Sequence, residues 1–205
     1  MFITFEGIEG SGKSTQRKRL LQWLDQQNIS YISTREPGGT GVGHVLRDLL
    51  LSNASSIVSN RTELFLFAAD RCEHLAQVIR PALSRGDWVI CDRYIDSTYA
   101  YQCGGREHDE QDILDIIRLT NAIEPDLTFL LDMSPEEGLR RAKARADLDR
   151  FENEQLSFHQ RVREAYLKTA DENNHRFSII PSDGQSVDVI FDMIVTKINE
   201  RRPMA

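Results

Sequence analysis

The chain has 205 residues, with 25 Lys and Arg against 32 Asp and Glu, for a formal net charge of −7. That balance argues against a general nucleic-acid binder and against a membrane-surface protein, so any anion site must be a local gathering of cations. Hydrophobic residues at 40% and charged residues at 28% are ordinary for a soluble globular chain, and no apolar run approaches the length of a membrane span.

Residues 2–6 are a short apolar run rich in β-favouring side chains and predict a buried strand. A glycine-rich loop follows, and then a helical pattern over 14–27 with Leu20, Leu21 and Leu24 on one face. Residues 31–34 predict a second strand, 35–41 a breaker-rich loop, and the stretch holding Val45, Leu46, Leu49 and Leu50 a helix. Residues 54–60 read as a loop, and 62–84 as one long helix kinked near its end by Pro81. Residues 88–92 are a strand ending in an acid, 97–105 begin helical and end in Gly-Gly, and 112–120 are helical. Residues 127–132 predict another buried strand, and Pro135 opens a helix to about Ala144. Residues 145–153 are highly charged and break the pattern. A helix over 154–171, a strand over 177–180 and a helix over 187–198 follow.

Strands alternating with helices imply right-handed crossovers and a parallel sheet covered on both faces. Ligands of such sheets bind at the carboxyl ends of the strands, where Glu6, Gly7, Arg35, Asp92, Arg93 and Asp132 are expected to face one crevice. The length suits one domain with room for a small mobile insert. Cys72, Cys91 and Cys103 are odd in number and form no C-x-x-C pair, which fits a reducing compartment. The first residues have no signal-peptide character, so a cytoplasmic location is expected.

The chemistry begins at Gly7-Ile8-Glu9-Gly10-Ser11-Gly12-Lys13-Ser14-Thr15, which fits G-x-x-x-x-G-K-[ST] between a strand and a helix. The glycines let backbone N–H groups curl around phosphate oxygens, and the helix N-terminus adds its positive dipole end. Lys13 supplies a mobile full charge, and the Ser14 hydroxyl can ligate Mg²⁺. Asp92 ends an apolar strand, as a Walker-B acid does, and is a second candidate for the metal. Arg35, Arg47, Arg71 and Arg93 gather near the expected crevice of an acidic chain, which points to an anion site. For Arg47 and Arg71 alone a capping or surface role is equally open.

The chain resembles the thymidylate kinases, a family of P-loop nucleoside monophosphate kinases. The residues that carry the resemblance are the P-loop, Thr34-Arg35-Glu36-Pro37-Gly38-Gly39-Thr40, Leu66-Phe67-Ala68-Ala69-Asp70-Arg71, Asp92-Arg93-Tyr94 and Ala100-Tyr101-Gln102. Residues 138–145 and 148–152 are similar to the lid of the bacterial members. The resemblance implies a single α/β P-loop kinase domain over 1–205, a parallel sheet of order 2-3-1-4-5 and a lid at about 140–153. It also implies transfer of the ATP γ-phosphoryl to dTMP with Mg²⁺, and a homodimer. By the same resemblance Gly7 to Thr15 bind ATP, and Glu9 approaches the sugar 3′-hydroxyl. Arg35, Arg47 and Arg93 hold the monophosphate, with Arg93 also catalytic beside Lys13. Phe67 stacks on thymine, Arg71 faces a base carbonyl, Thr98 and Gln102 read the base edge, and Tyr101 lies near the sugar 2′ position. The family commonly has Glu where this chain has His44.

None of the variable P-loop residues Ile8, Glu9, Gly10 and Ser11 is basic, so the loop offers one cationic side chain. Phosphoryl transfer spreads charge over the equatorial oxygens, and further cations are needed. Arg140, Arg141, Arg145 and Arg150 lie in the lid segment. Arg145 and Arg150 are the expected catalytic pair, with Arg141 an adenine-side contact. Three other readings stay open at this stage: a P-loop kinase for another nucleotide or nucleoside, a nucleotide-dependent switch, and a nucleic-acid-associated ATPase. The missing Asn-Lys-x-Asp guanine reader weighs against a GTPase switch, and the acidic balance against the ATPase.

Overall fold

The computed structural model describes residues 1–53, 58–145 and 148–201. Five strands, β1 Phe2–Glu6, β2 Tyr31–Arg35, β3 Trp88–Asp92, β4 Leu127–Asp132 and β5 Phe177–Pro181, pair in the order β2-β3-β1-β4-β5. Every pairing is parallel. β1 lies in the middle and all five of its residues are buried, which is why it reads as a continuous apolar run rather than an alternating one.

Helices cover both faces. Ile3, Phe5, Phe129 and Leu131 meet Leu20 and Leu24 of α1 (Lys13–Gln26) and Ile190, Ile194 and Ile198 of α9 (Val187–Arg201). The alternate strand residues turn the other way. Phe2 and Val89 pack on Leu75, Ile79 and Tyr94, while Leu130 and Phe177 pack on Val162 and Tyr166 of α8 (Leu156–Glu172). The chain leaves β1 toward β2 on one side and later adds β4 on the other. The crevice beyond the C-termini of β1 and β3 is therefore the switch point of the sheet.

The helix expected over 62–84 is three pieces: α3 Asn60–His74, a π-helical turn Leu75–Ile79, and α4 Arg80–Ser84. Pro81 has no N–H to give, and its ring crowds the preceding turn. The backbone widens before it, with Arg80 N–H donating to Leu75 O. The stretch 97–105 is also not a plain helix. A short α5 (Ile95–Thr98) runs into a π-helical segment, Tyr99–Gly105, which carries Tyr101 and Gln102. The remaining helices are α2 Gly41–Leu51, α6 Glu110–Leu119 and α7 Pro135–Arg145. The expected loop 54–60 falls partly on residues 54–57, and the charged segment 145–153 partly on 146–147, outside the described residues. Among the described residues no helix is long and apolar enough to cross a membrane.

Candidate active site

The P-loop curls at the C-terminal end of β1, with Gly10 at φ +72°. A Cβ there would collide with the backbone carbonyl of Gly138, in the first turn of α7. The reverse also holds, since a Cβ on Gly138 would meet the Glu9 carbonyl. Two glycines thus let the P-loop and α7 touch backbone to backbone. Lys13 Nζ donates to Gly7 O at 2.8 Å and Ile8 O at 2.7 Å. Burial first, and then the Arg93 charge, lower its pKa to about 8 against the pull of Asp92, Glu9 and Glu6.

Beside the P-loop lies the cationic end of the cleft. Arg93, at φ +66°, donates to Glu9 Oε1 at 2.8 Å and to Tyr166 Oη at 3.0 Å, and its guanidinium lies 4.9 Å from the Tyr101 ring centre. Tyr101 Oη also donates to Glu9. Burial opposes the Glu9 charge, but Arg93, the adjacent His159 and Lys13 outweigh it and hold the carboxyl well below the usual range. Beneath them Glu6 is fully buried, accepting from Tyr94 N–H at 2.7 Å, Ser97 Oγ at 2.6 Å and Tyr166 Oη at 2.9 Å. Burial, then the charge of Asp96, push Glu6 up to about 7. Glu6 thus holds the turn that carries Arg93 rather than facing the crevice.

Arg47 lines the same cleft and donates to Pro37 O at 2.9 Å. A backbone carbonyl therefore holds this arginine, while His44 is an exposed surface residue. Burial, then the like charges of Arg35 and Arg93, lower the Arg47 pKa. Cations crowded against one another in this way favour an anion between them. Arg35 contributes charge from an exposed position and is not part of the cleft wall.

The far end of the cleft is aromatic and amide-lined. Its cavity of about 390 Å³ runs from Glu9, Gly10, Gly12, Lys13, Ser14 and Thr15 to Phe67, Arg71, Thr98, Tyr101 and Gln102. Arg71 donates to Glu36 Oε2 at 3.0 Å and to Thr98 Oγ1 at 2.8 Å, and Glu36 also pairs with His74 Nδ1 at 2.9 Å. Among the described residues Arg71 Nη1 has no partner. Phe151 from the lid segment covers this end, with ring centres 6.1 Å from Phe67 and 5.8 Å from Tyr101.

Ser14 and Asp92 both line the cleft beside the P-loop. Among the described residues Asp92 has one ion-pair contact, a long one to Arg17 Nε at 3.9 Å, which leaves its carboxylate room to bind another cation. A hydroxyl and a free carboxylate are hard oxygen donors and fit Mg²⁺ shared with phosphates. Among the described residues no cluster of three or more His, Cys, Asp or Glu forms a cage.

The expected lid residues separate. Arg141 lines the cleft while donating to Glu137 at 2.6 Å, and Arg140 points outward to the same carboxylate. Arg145 ends α7, and its side chain lies outside the described part. Arg150 is not in the cleft wall. It donates to the fully buried Glu63 at 2.6 Å and to Leu50 O at 2.9 Å, because a buried carboxylate without its cation is costly. Asp132 also departs from expectation. Arg163 of α8 binds it through two bonds of 2.7 and 2.8 Å, away from the cleft.

Several contributors are not apparent in the sequence. Tyr166 and His159 sit on the apolar stripe of α8 and look like core, and Glu63 looks like an ordinary first-turn acid of α3. Phe151 had one available signal, an aromatic alone in a charged stretch.

A family profile described as thymidylate kinase matches residues 5–194. A thymidylate kinase of Desulfosudis oleivorans is 46% identical over 203 residues, covering 95% of this chain and 94% of its own. One from Pseudomonas putida is 44% identical over 204 residues, covering 98% and 99%. The crystal structure of thymidylate kinase from Ehrlichia chaffeensis matches with a TM-score of 0.78 at 33% identity, over 97% of this chain and 98% of that one. The matches run through the P-loop, the sheet and the lid segment alike, and the chain belongs to the thymidylate kinase family.

Proposed function

We propose that this protein transfers the γ-phosphoryl group of ATP to dTMP, giving dTDP and ADP. The observation that carries the reading is one continuous cleft with a P-loop at one end and an aromatic, amide-lined pocket at the other, arginines lying between. A nucleoside monophosphate has that order of parts: phosphate toward the donor, base away from it.

In this reading a phosphate oxygen of dTMP attacks the γ-phosphorus in line, the bond from the γ-phosphorus to the β-bridging oxygen breaks, and ADP leaves with the bond's electron pair. Lys13 leaves the carbonyls of Gly7 and Ile8 to meet the β- and γ-phosphates. Arg93 and Arg47 hold the dTMP phosphate, with Arg35 adding charge from outside. Glu9 fixes Arg93 and faces the sugar, and Tyr101 closes the sugar's other side. Phe67 stacks on the base. Ser14 and Asp92 would hold Mg²⁺, which when bound neutralises phosphate charge. Arg145 is assigned as the lid cation at the transferring group and Arg141 as a donor-nucleotide contact. Arg150 is assigned to docking the lid segment on Glu63. The test is ADP release with Mg·ATP across dTMP, UMP, dCMP, AMP and thymidine. We expect dTMP to be turned over fastest, and equal rates with UMP or AMP would overturn the substrate.

The same reading includes a homodimer. Val42, Val45 and Leu49 of α2, Phe65 of α3, and Leu114 and Leu119 of α6 are large apolar residues left exposed. Helix α2 packs beside α3, and the first three residues recur at helical spacing, so they form a face. Sedimentation at micromolar concentration should give twice the 23.5 kDa chain mass, and a single monomeric species would exclude the dimer.

A further inference from the structure

We propose that Glu63 is a specificity-positioning residue, which fixes the amide of Gln102 so that its oxygen faces the cleft and accepts the N3–H of the acceptor base. The inference rests on the pyrimidine-nucleotide reading above and adds the element that selects among pyrimidines.

Glu63 lies in the first turn of α3 with no exposed surface. Its Oε1 accepts from Gln102 Nε2 at 3.1 Å and Arg106 Nε at 3.2 Å, and its Oε2 from Arg150 Nη2 at 2.6 Å. All three partners are N–H donors, and two are guanidinium groups, so both oxygens act only as acceptors. An acceptor-only neighbour dictates the orientation of a side-chain amide. The NH₂ of Gln102 must face Glu63, and its carbonyl oxygen must face the other way. Gln102 is 1% exposed and forms part of the cleft wall. Among the described residues its Oε1 accepts no hydrogen bond, and it is not one of the buried polar atoms left without a partner, so it opens onto the cleft.

Two groups close to Gln102 can donate into the same end of the cleft. Arg71 presents Nη1, and Thr98 accepts from Arg71 through its oxygen, which leaves the hydroxyl proton free to donate. Arg71 and Thr98 thus set two donors beside the fixed amide acceptor of Gln102. Thymine and uracil carry carbonyls at positions 2 and 4 and a donor at N3, which match. Cytosine carries an acceptor at N3 and a donor amino group at position 4, which set acceptor against acceptor and donor against donor. A site built around a hydrogen bond rejects the base that cannot make it.

Glu63 also has a structural duty, since it neutralises Arg106 and Arg150. A purely structural role would make its substitution lower stability, or turnover of every nucleotide, in equal proportion. The proposed role changes the ratio between bases. In Glu63→Gln the neighbour of Gln102 has both a donor and an acceptor end, so it no longer forbids the flipped amide. The preference for dTMP over dCMP, as the ratio of kcat/KM values, should fall at least about tenfold, as expected when a fixed polar mismatch is relieved. The KM for ATP should stay within about twofold. A variant that melts cooperatively and keeps the wild-type ratio overturns the proposal. Should it fail to fold, the wild-type enzyme still decides. dUMP, which shares N3–H and the carbonyl at position 4, should compete with dTMP at least about 100-fold better than dCMP does. Equal competition by dCMP and dUMP overturns the proposal without any variant. Failure of the wild type to turn over dTMP would instead remove the proposed function.

Discussion

Replacing Lys13 by alanine is expected to lower kcat/KM for ATP at least about 10²-fold, the scale on which one preorganised donor at a developing charge acts. Lys13 is the only cationic side chain of the P-loop and is held against the carbonyls of Gly7 and Ile8 at the cleft wall. Its pKa of about 8 adds a sharper test. The ammonium form carries the charge that phosphates need, so the free enzyme is competent below about pH 8 and loses competence above it. Because kcat/KM reports the free enzyme, it should fall about tenfold per pH unit on the alkaline side, while kcat stays flatter once the triphosphate has restored the proton's affinity. A kcat/KM for ATP that stays level to pH 9.5 would show that burial and Arg93 do not depress this lysine.

Arg93→Ala should be the larger loss on the acceptor side, about 10³-fold in kcat/KM for dTMP, comparable with removal of a transition-state arginine. The side chain serves Glu9 and Tyr166 together and lies over the Tyr101 ring, so three neighbours lose their orientation at once. Arg93→Lys should recover only a small part, because a single ammonium cannot reproduce a planar fork. A second readout separates charge from packing. Arg93 helps to lower the Lys13 pKa, so in Arg93→Ala the alkaline limb of kcat/KM for ATP should move above pH 8. Retention of dTMP turnover within tenfold of wild type would remove Arg93 from the mechanism.

The strands were legible nearly to the residue, and β1 and β4 most plainly, because strands covered on both faces demand continuous apolar runs and these two supply them between breakers. The P-loop was legible because its chemistry is local, nine residues in one order. What escaped the sequence is mostly long-range. Glu6 meets Tyr166 across 160 positions, Arg93 meets Glu9 across 84, and Glu63 meets Arg150 across 87. No local period announces such contacts. Asp132 and Asp92 carry the same signal, an acid ending an apolar strand. Only Arg163, reaching in from α8, distinguishes the tied carboxylate from the one left facing the cleft. The π-helical turns are invisible for another reason. Their widened hydrogen bonding answers Pro81 in one case, and in the other brings Tyr101 and Gln102 into the cleft wall.

The backbone contact between Gly10 and Gly138 makes the P-loop a fulcrum. Helix α7 rests its first turn on the backbone of the P-loop, with the Ile8 side chain beside the contact. Gly138 lies seven positions before the end of α7 at Arg145, a lever arm of about 10 Å at the helical rise. A tilt of about 10° at the support therefore swings the far end by about 2 Å, on the order of the gap between a loose contact and a hydrogen bond. A methyl group at either glycine would lift the lever off its support and misaim everything it carries.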